Sequence, residues 1–496
     1  MNLAGRLREV VRVGGSAAQD TPDAPYLNVA AASADPANAD RVAEALGGEW
    51  REGRGRPASA DRPASAGLSG RVATRPRYLV IDRQYPVGHR LGRVAVADCL
   101  PAADGLWPRL DLLMCGGSGS STLQGRLLFV DLETTGLAGG AGTYAFLVGC
   151  GWFEGAMFRV RQFFLSSFAA ERGLLEDVAD TMGASGALVT YNGKTFDLPL
   201  IDTRFLFHRM SAPHSGLPHL DMLHIARRLW RSQSPDHSSM GAGERSAPVP
   251  CSLTLVERAV LGHVREGDVP GFEIPSRYFH YVRTGDARPL DGVLEHNRLD
   301  LLALAMLTAR AAQLLEGGAA GAHTPREALG LGRLYERGGM IAEARACFAR
   351  AAGVAPPAFA LRIARPALTG QVAQHPDPGG GGTDGLSECV DPSTLAEALR
   401  AFGVLCRRER RYTEAADAWR RVLALRGCPV FIVKEATEAL AVHHEHRLRD
   451  LIAARRFAMQ ALQFSASTTR VQALHHRLAR IDRKLGIPPP QPAPLF

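Results

Sequence analysis

A buried strand that ends in two carboxylates constrains the fold of this chain more than any other feature. The four apolar residues 127–130 predict a strand that is covered on both faces. Asp131 and Glu133 follow, and because side chains alternate along a strand, both carboxylates share one face. Two like charges there repel each other and lose hydration. Either a cation lies between them, or the strand has ended and both groups face water.

The bulk composition suits a chain of two or three domains with an anionic partner. It has 496 residues, 46% of them hydrophobic, and a net charge of +8. That charge weakly favours nucleic acid, since the basic residues are spread along the chain. No apolar run reaches membrane-spanning length, and the eight cysteines form no C-x-x-C pair. We therefore expect a cytoplasmic protein with reduced thiols and no membrane association.

The order of predicted elements indicates an α/β core. Residues 1–75 read as mostly disordered, and residues 76–124 as a lead-in segment with short strands. The core domain is predicted at 125–316. There, three antiparallel strands are followed by strands that alternate with helices, which is typical of a mixed sheet.

The last third of the chain is predicted to be all-α. Residues 325–358 match tetratricopeptide spacing at Leu331, Gly332, Tyr335, Gly339, Ala344, Phe348, Ala351 and Pro356. A Gly/Pro-rich linker at 369–393 separates this repeat from looser, tetratricopeptide-like helical repeats at 394–485. Such repeats would bind a protein partner, and an unrelated helical bundle is the alternative. All the candidate acids precede the repeats, so we expect a chain ending near residue 320 to keep its chemistry.

Two further acids stand out of pattern. Asp197 follows a predicted strand and loop at the start of a helix, where it could ligate a metal or simply cap the helix. Asp300 lies on a long apolar helix that must pack on the sheet. His296 precedes it by four residues and shares its face. The alternatives are an Asp300 paired elsewhere at the edge of the core and a structural His296.

Together, Asp131, Glu133, Asp197 and Asp300 form a set of hard oxygen ligands that suits Mg²⁺ or Mn²⁺. Two such ions could clamp an in-line displacement at phosphorus, and His296 could accept the proton of the attacking water.

The motifs resemble those of a known family. The order D-x-E-T-T-G, N-x-x-x-F-D and H-x-x-x-D resembles the DEDD 3′→5′ exonucleases, and "TYNGKTFDLPLIDTR" with "LEHNRLDLLALA" is similar to the YprB-type ribonuclease H-like domain. The resemblance covers roughly 77–316. It implies a ribonuclease H-like fold, a metal role for the four acids and a general-base role for His296. His296 lies four residues before the last acid, as in the Tyr-type subfamily, and not five as in the His-type.

Four more residues are candidates for auxiliary or substrate-binding roles: Thr134, Asn192, Lys194 and Asp221. Asp221 lies at a strand end and could be a further acid or a helix cap. Lys194 could contact a phosphate or could be a solvated loop charge.

The sequence thus favours a two-metal nuclease, a 3′→5′ exonuclease on single-stranded nucleic acid or 3′ ends. A non-catalytic nucleic-acid-binding or scaffold protein that uses its repeats is one alternative. An endonuclease on RNA–DNA hybrids is another. The sequence does not choose between DNA and RNA.

Overall fold

A computed structural model describes residues 36–53, 76–101, 106–114, 125–136, 142–231, 251–354, 391–464 and 468–487. Its strands, in chain order, are β1 (Glu49–Glu52), β2 (Arg77–Pro86), β3 (Arg90–Leu91), β4 (Val94–Ala95), β5 (Leu127–Thr134), β6 (Ala145–Glu154), β7 (Met157–Phe164), β8 (Ala187–Thr190) and β9 (His219–Asp221).

The helices of the first two thirds are α1 (Pro36–Leu46), α2 (Glu171–Gly183), α3 (Asp197–Phe207), α4 (Met222–Leu229), α5 (Leu253–Val260), α6 (Ile274–Thr284) and α7 (Asp291–Gly321). Those of the last third are α8 (Pro325–Arg337), α9 (Ile341–Ala351), α10 (Pro392–Arg408), α11 (Tyr412–Ala424), α12 (Val430–His443), α13 (Leu451–Gln463) and α14 (Thr468–Leu485). A π-helical turn, His444–Leu448, joins α12 to α13.

Seven strands form one mixed sheet in the order β1-β2-β7-β6-β5-β8-β9. In this sheet the pairs β1–β2, β2–β7, β7–β6 and β6–β5 are antiparallel, whereas β5–β8 and β8–β9 are parallel. The predicted mixed sheet, with three antiparallel strands followed by parallel ones and then a helical region, is confirmed.

The antiparallel edge of the sheet extends beyond the predicted core. Residues 77–86, expected as a lead-in with short strands, form a ten-residue strand along β7. Residues 36–46 and 49–52, expected to be disordered, form α1 and β1. They are an ordered part of the region 1–75 that composition predicts to be mostly disordered, and β1 forms its hydrogen bonds with β2. The rest of 1–75 and most of the predicted 369–393 linker lie outside the described residues, and α10 begins at Pro392.

Each face of the sheet builds its own apolar core. Leu127 and Phe129 contribute to the core under α7, while Leu128 and Val130 contribute to the core on the opposite face. The strand is apolar on both faces because helices cover both.

Helix α7 is buried on nearly all sides between Leu301 and Leu315. A helix that is apolar all round must be covered all round. The sheet covers one side, and α8 and α9 of the helical region cover another. The apolar core under the sheet therefore continues without interruption into α10 and α11.

Candidate active site

Strand β5 brings the first two acids to the site. By strand alternation, Asp131 and Glu133 lie on the same face as Leu127 and Phe129, the face that α7 covers. Both carboxylates are half-buried, whereas Leu132 between them packs into the opposite core. The parallel neighbours β8 and β9 end at the same edge of the sheet. The acids therefore lie where strand ends and a helix meet.

Asn297 on α7 fixes the position of Asp131. Its Nδ2 donates to Asp131 Oδ2 at 2.7 Å and to the Asp131 carbonyl oxygen at 3.2 Å. Its Oδ1 accepts from Gln162 Nε2 at 2.8 Å, and Asn297 and Gln162 are both fully buried. Sequence reasoning missed this residue. The signal was a polar side chain three residues before Asp300 on an apolar helix, which places both on one face.

Asp197 is the first residue of α3, directly after the β8–α3 loop. Asp221, at the end of β9, anchors that loop. Its carboxylate accepts from the backbone N–H groups of Asn192 at 2.8 Å and Lys194 at 3.2 Å. It also accepts from Leu223 N at 3.1 Å and so caps α4. The helix-capping alternative therefore holds for Asp221, which also acts as a loop anchor.

The electrostatics bring the four acids into one group. Burial, then Asp300, Glu133 and Asp197, raise the pKa of Asp131 well above its usual range, although the Asn297 hydrogen bond works in the opposite direction. Burial, then Asp300 and Asp197, raise the pKa of Glu133 in the same way. Burial, Asp221 and Asp300 raise the pKa of Asp197 to about 7. Each acid disfavours the charge of the others, as expected for carboxylates that share a site.

One cation already lies beside this group. Arg265 Nη2 is 2.6 Å from Asp300 Oδ1 and 2.7 Å from Glu257 Oε2, and the Arg265 side chain is only 5% exposed. Burial alone would lower the pKa of this guanidinium, but Asp300 and Glu257 outweigh it and raise the pKa. Asp300 is thus paired in this structure. Neither Arg265 nor Glu257 was predicted, because the segment that carries them has no motif.

His296 lies between two carboxylates. Its Nδ1 is 2.7 Å from Asp268 Oδ1, and its Nε2 is 3.6 Å from Asp300 Oδ2. An ionised carboxylate can only accept, so Nδ1 carries the hydrogen that Asp268 receives. In the neutral ring, the lone pair of Nε2 then points toward the acids. Asp268 is the second residue of this site that the sequence did not reveal.

The remaining candidates are less engaged with the acids. Thr134 Oγ1 donates to the carbonyl of Gly136 at 2.9 Å, within its own turn. Asn192 takes the left-handed conformation with φ 65°, which fits a tight turn. The Lys194 residue is exposed on the loop, where the solvated alternative is as consistent as a phosphate contact.

The donor set fits a hard divalent cation, since Asp131, Glu133, Asp197 and Asp300 offer only oxygen ligands. Burial and then repulsion raise the pKa values of three of them, and such a cation would relieve the repulsion. In the part of the chain that the structure describes, no three His, Cys, Asp or Glu residues are yet arranged around an ion position. Ion binding would therefore require small side-chain movements, among them release of Asp300 from Arg265.

Comparison with known proteins agrees with the fold. Residues 128–312 match the family model described as the RNase_H superfamily. They form a ribonuclease H-like domain.

This chain is similar in sequence to the uncharacterized protein YprB of Bacillus subtilis (strain 168). That protein is 35% identical to this chain over 238 residues, which cover 46% of this chain and 52% of YprB. The chain thus spans about half the length of this curated relative, and its ribonuclease H-like domain is similar to YprB.

Among solved structures, the family B DNA polymerase from the hyperthermophilic archaeon Pyrobaculum calidifontis is similar with a TM-score of 0.29 and 13% identity. The match covers 42% of this chain and 29% of the polymerase, a similarity too low to support an argument about fold or function. No described helix is both long enough and apolar enough to cross a bilayer.

Proposed function

We propose that this protein is a metal-dependent nuclease that removes nucleotides from the 3′ ends of single-stranded nucleic acid. The observation that carries the proposal is a group of acids on β5, α3 and α7, in which burial and then the neighbouring carboxylates, Asp300 among them, raise the pKa values of Asp131, Glu133 and Asp197. Of the four acids, Asp300 pairs with Arg265, and a divalent cation would offset the charge of the others.

The four acids would hold Mg²⁺ or Mn²⁺, and two such ions, when bound, would activate a water and stabilise the leaving oxygen. Asn297 holds Asp131 in the orientation this requires, through its 2.7 Å hydrogen bond. Asp221 holds the β8–α3 loop in place and thereby positions Asp197 beside the other acids.

His296 is proposed as the proton acceptor, with Asp268 as its positioning residue. The Asp268 carboxylate fixes which ring nitrogen carries the hydrogen, so that Nε2 faces the acids as a free acceptor.

A nuclease assay tests the function. We expect Mn²⁺-dependent, stepwise shortening of 5′-labelled single-stranded oligomers from their 3′ ends, and the assay compares matched DNA, RNA and RNA–DNA hybrid substrates. Asp131→Asn should abolish release while its Tm without metal stays equal or rises, because one source of repulsion is gone. Internal cuts in the hybrid would indicate an endonuclease instead. Binding without any cleavage by the intact protein would favour the non-catalytic alternative.

A further inference from the structure

The net positive charge of the chain is concentrated in its C-terminal helices. Residues 391–487 hold 18 of the 58 Lys and Arg residues but only 10 of the 50 Asp and Glu residues. The other residues of the chain carry 40 of each sign, so the whole net charge of +8 arises in this segment. Such a local excess creates a positive potential that attracts polyanions.

A single buried carboxylate organises part of this charge. Glu445, in the π-helical turn, has a fully buried side chain. Arg477 and Arg480 of α14 lie 2.6 and 2.8 Å from its oxygens, and Lys484 lies 4.0 Å away. One negative charge thus holds three positive charges in place. The side chains of Arg480 and Lys484 remain 42% and 50% exposed, so the excess charge faces solvent.

The same turn borders an aromatic groove. The Arg447 guanidinium lies over the Tyr412 ring at 3.8 Å. The groove has a volume of about 240 Å³ between α11 and α12, and its lining includes Arg407, Tyr412, Trp419, His443, His446 and Arg447.

The indole ring of Trp419 lines this groove. Trp419 is only 2% exposed, yet its Nε1–H has no hydrogen-bond partner among the described residues. That N–H is itself buried, so a ligand in the groove would contact the edge of the ring and not this donor. The groove therefore combines cationic and aromatic side chains, which is the chemistry that binds the phosphates and bases of a single strand.

We propose that this groove and the cationic face of α14 bind the backbone of single-stranded nucleic acid, apart from the site that cuts it. The inference rests on the proposed nuclease function in one respect: that function identifies the bound nucleic acid as the substrate of the nuclease site. It gives the helical region a substrate-binding role, in addition to the protein partner that its repeats predict. Charge complementarity distinguishes this occupant from an uncharged partner.

Oligonucleotide binding by the full chain tests the proposal. The probe is a fluorescein-labelled single strand of about 20 nucleotides, as oligo(dT) and oligo(U), and anisotropy is read in EDTA so that nothing is cut. The test variant is Arg407→Gln/Arg447→Gln/Lys484→Gln. Each lost phosphate contact lowers the salt slope by about 0.7, so we expect a slope smaller by about 2 and at least a tenfold weaker Kd at low salt.

The matched control removes three exposed arginines elsewhere: Arg90→Gln/Arg172→Gln/Arg288→Gln. It should bind nearly as the parent chain does. An equal loss in both variants would show that only net charge matters and would overturn the proposal. So would tight binding of polyglutamate with no binding of either oligonucleotide, which would identify an acidic protein partner. Because the binding measurement needs no metal, it tests this proposal even if the protein proves to have no nuclease activity.

Discussion

At the scale of single residues, the site depends on uncharged and oppositely charged neighbours as much as on its acids. Asn297 donates to Asp131, Arg265 pairs with Asp300, and Asp268 accepts from His296. Each neighbour fixes one rotamer of a functional side chain. A group held in place by packing and hydrogen bonds loses little entropy when the substrate arrives.

His296 and Asp268 should act as a unit. His296→Ala should lower kcat by roughly 10²–10⁴, the usual contribution of an acid–base group, while KM changes little. Asp268→Asn should cause a smaller fall in kcat, and Asp268→Glu should restore part of it. Steady-state kinetics on a labelled oligomer measure both constants.

His263 provides the matched control, because it also pairs with a carboxylate, Glu257, at 2.6 Å. His263→Ala should reduce stability but leave kcat nearly unchanged. If His296→Ala lowers only the Tm and kcat stays at the parent value, His296 is structural and the base assignment fails.

Asp197 predicts how stability depends on pH. Burial, Asp221 and Asp300 raise its pKa to about 7, whereas an unfolded aspartate titrates near about 3.9. The folded protein therefore holds this proton more tightly than the unfolded chain. Its contribution to stability is present below about pH 4 and is lost as the pH rises to about 7. In EDTA, we expect the Tm to fall over this range.

Asp197→Asn should flatten that fall in Tm, since the titrating group is gone. Asp291→Asn, an exposed change at the start of α7, should leave the curve as it is. Added Mn²⁺ should raise the Tm of the parent chain most near pH 8, where the acids are charged. A Tm of the parent chain that rises steadily from about pH 4 to 7 would contradict the assignment.

At the scale of elements, the site depends on how closely α7 approaches the sheet. Gly149 on β6 pairs with Asp131 on β5 and lies directly under Asn297. A Cβ at Gly149 would lie 2.3 Å from Asn297 Oδ1, a distance that forces the amide to move. Only glycine permits this approach of strand and helix.

Gly149→Ala should therefore displace Asn297 and, with it, Asp131. We expect a loss of about 1–3 kcal/mol in the free energy of unfolding from overpacking and a fall in kcat of at least tenfold. Chemical denaturation and the nuclease assay measure the two effects. Gly183→Ala is the control, because nothing lies within 4 Å of a Cβ there. An active, stable Gly149→Ala protein would mean that α7 tolerates displacement.

At the scale of the whole molecule, the helical region packs against the ribonuclease H-like domain. Trp230 at the end of α4 donates to Glu327 of α8 at 3.1 Å. A Cβ at Gly330 would lie 2.6 Å from the carbonyl oxygen of Arg228, so the backbones of α8 and α4 are in close contact at this glycine. Gly332 packs on Phe348 and Gly403 on Trp419, the same glycine–aromatic contact at the same spacing in two helix pairs.

This packing changes the expectation for truncated chains. A chain that ends at Gly321 uncovers the apolar side of α7 that α8 and α9 bury. We expect it to aggregate or to melt well below the parent chain, although every acid is present. A chain that ends at Val354 keeps α8 and α9 and should stay folded and keep its nuclease activity. Thermal unfolding and gel filtration compare the two.

If the chain ending at Gly321 is monomeric and melts with the parent chain, α8 and α9 do not stabilise the domain. Activity in that chain would then support the simpler expectation from sequence, in which the repeats are separable from the chemistry.

The sequence by itself determined the features that depend on local periodicity. The sequence predicts strands over 143–153 and 156–165, which the structure has at 145–154 and 157–164, and the long apolar helix that carries Asp300. Side-chain alternation and helical spacing are visible in a short window. The acids were found because each interrupts such a pattern. The sequence does not predict β1, because a strand of four residues is too short to show a periodicity.

Only the tertiary structure decided which residues meet across the chain. Asn297 lies in a motif that does not reveal its role, and Gly149, Gln162, Arg265 and Asp268 lie in no quoted motif. Their roles come from contacts between β6, β7, α7 and the segment before α6. A hydrogen bond across many residues depends on packing distances that no local pattern encodes. The packing of α8 and α9 on α7 is a second example. An apolar helix face predicts that the helix is buried, but it does not predict which element covers it.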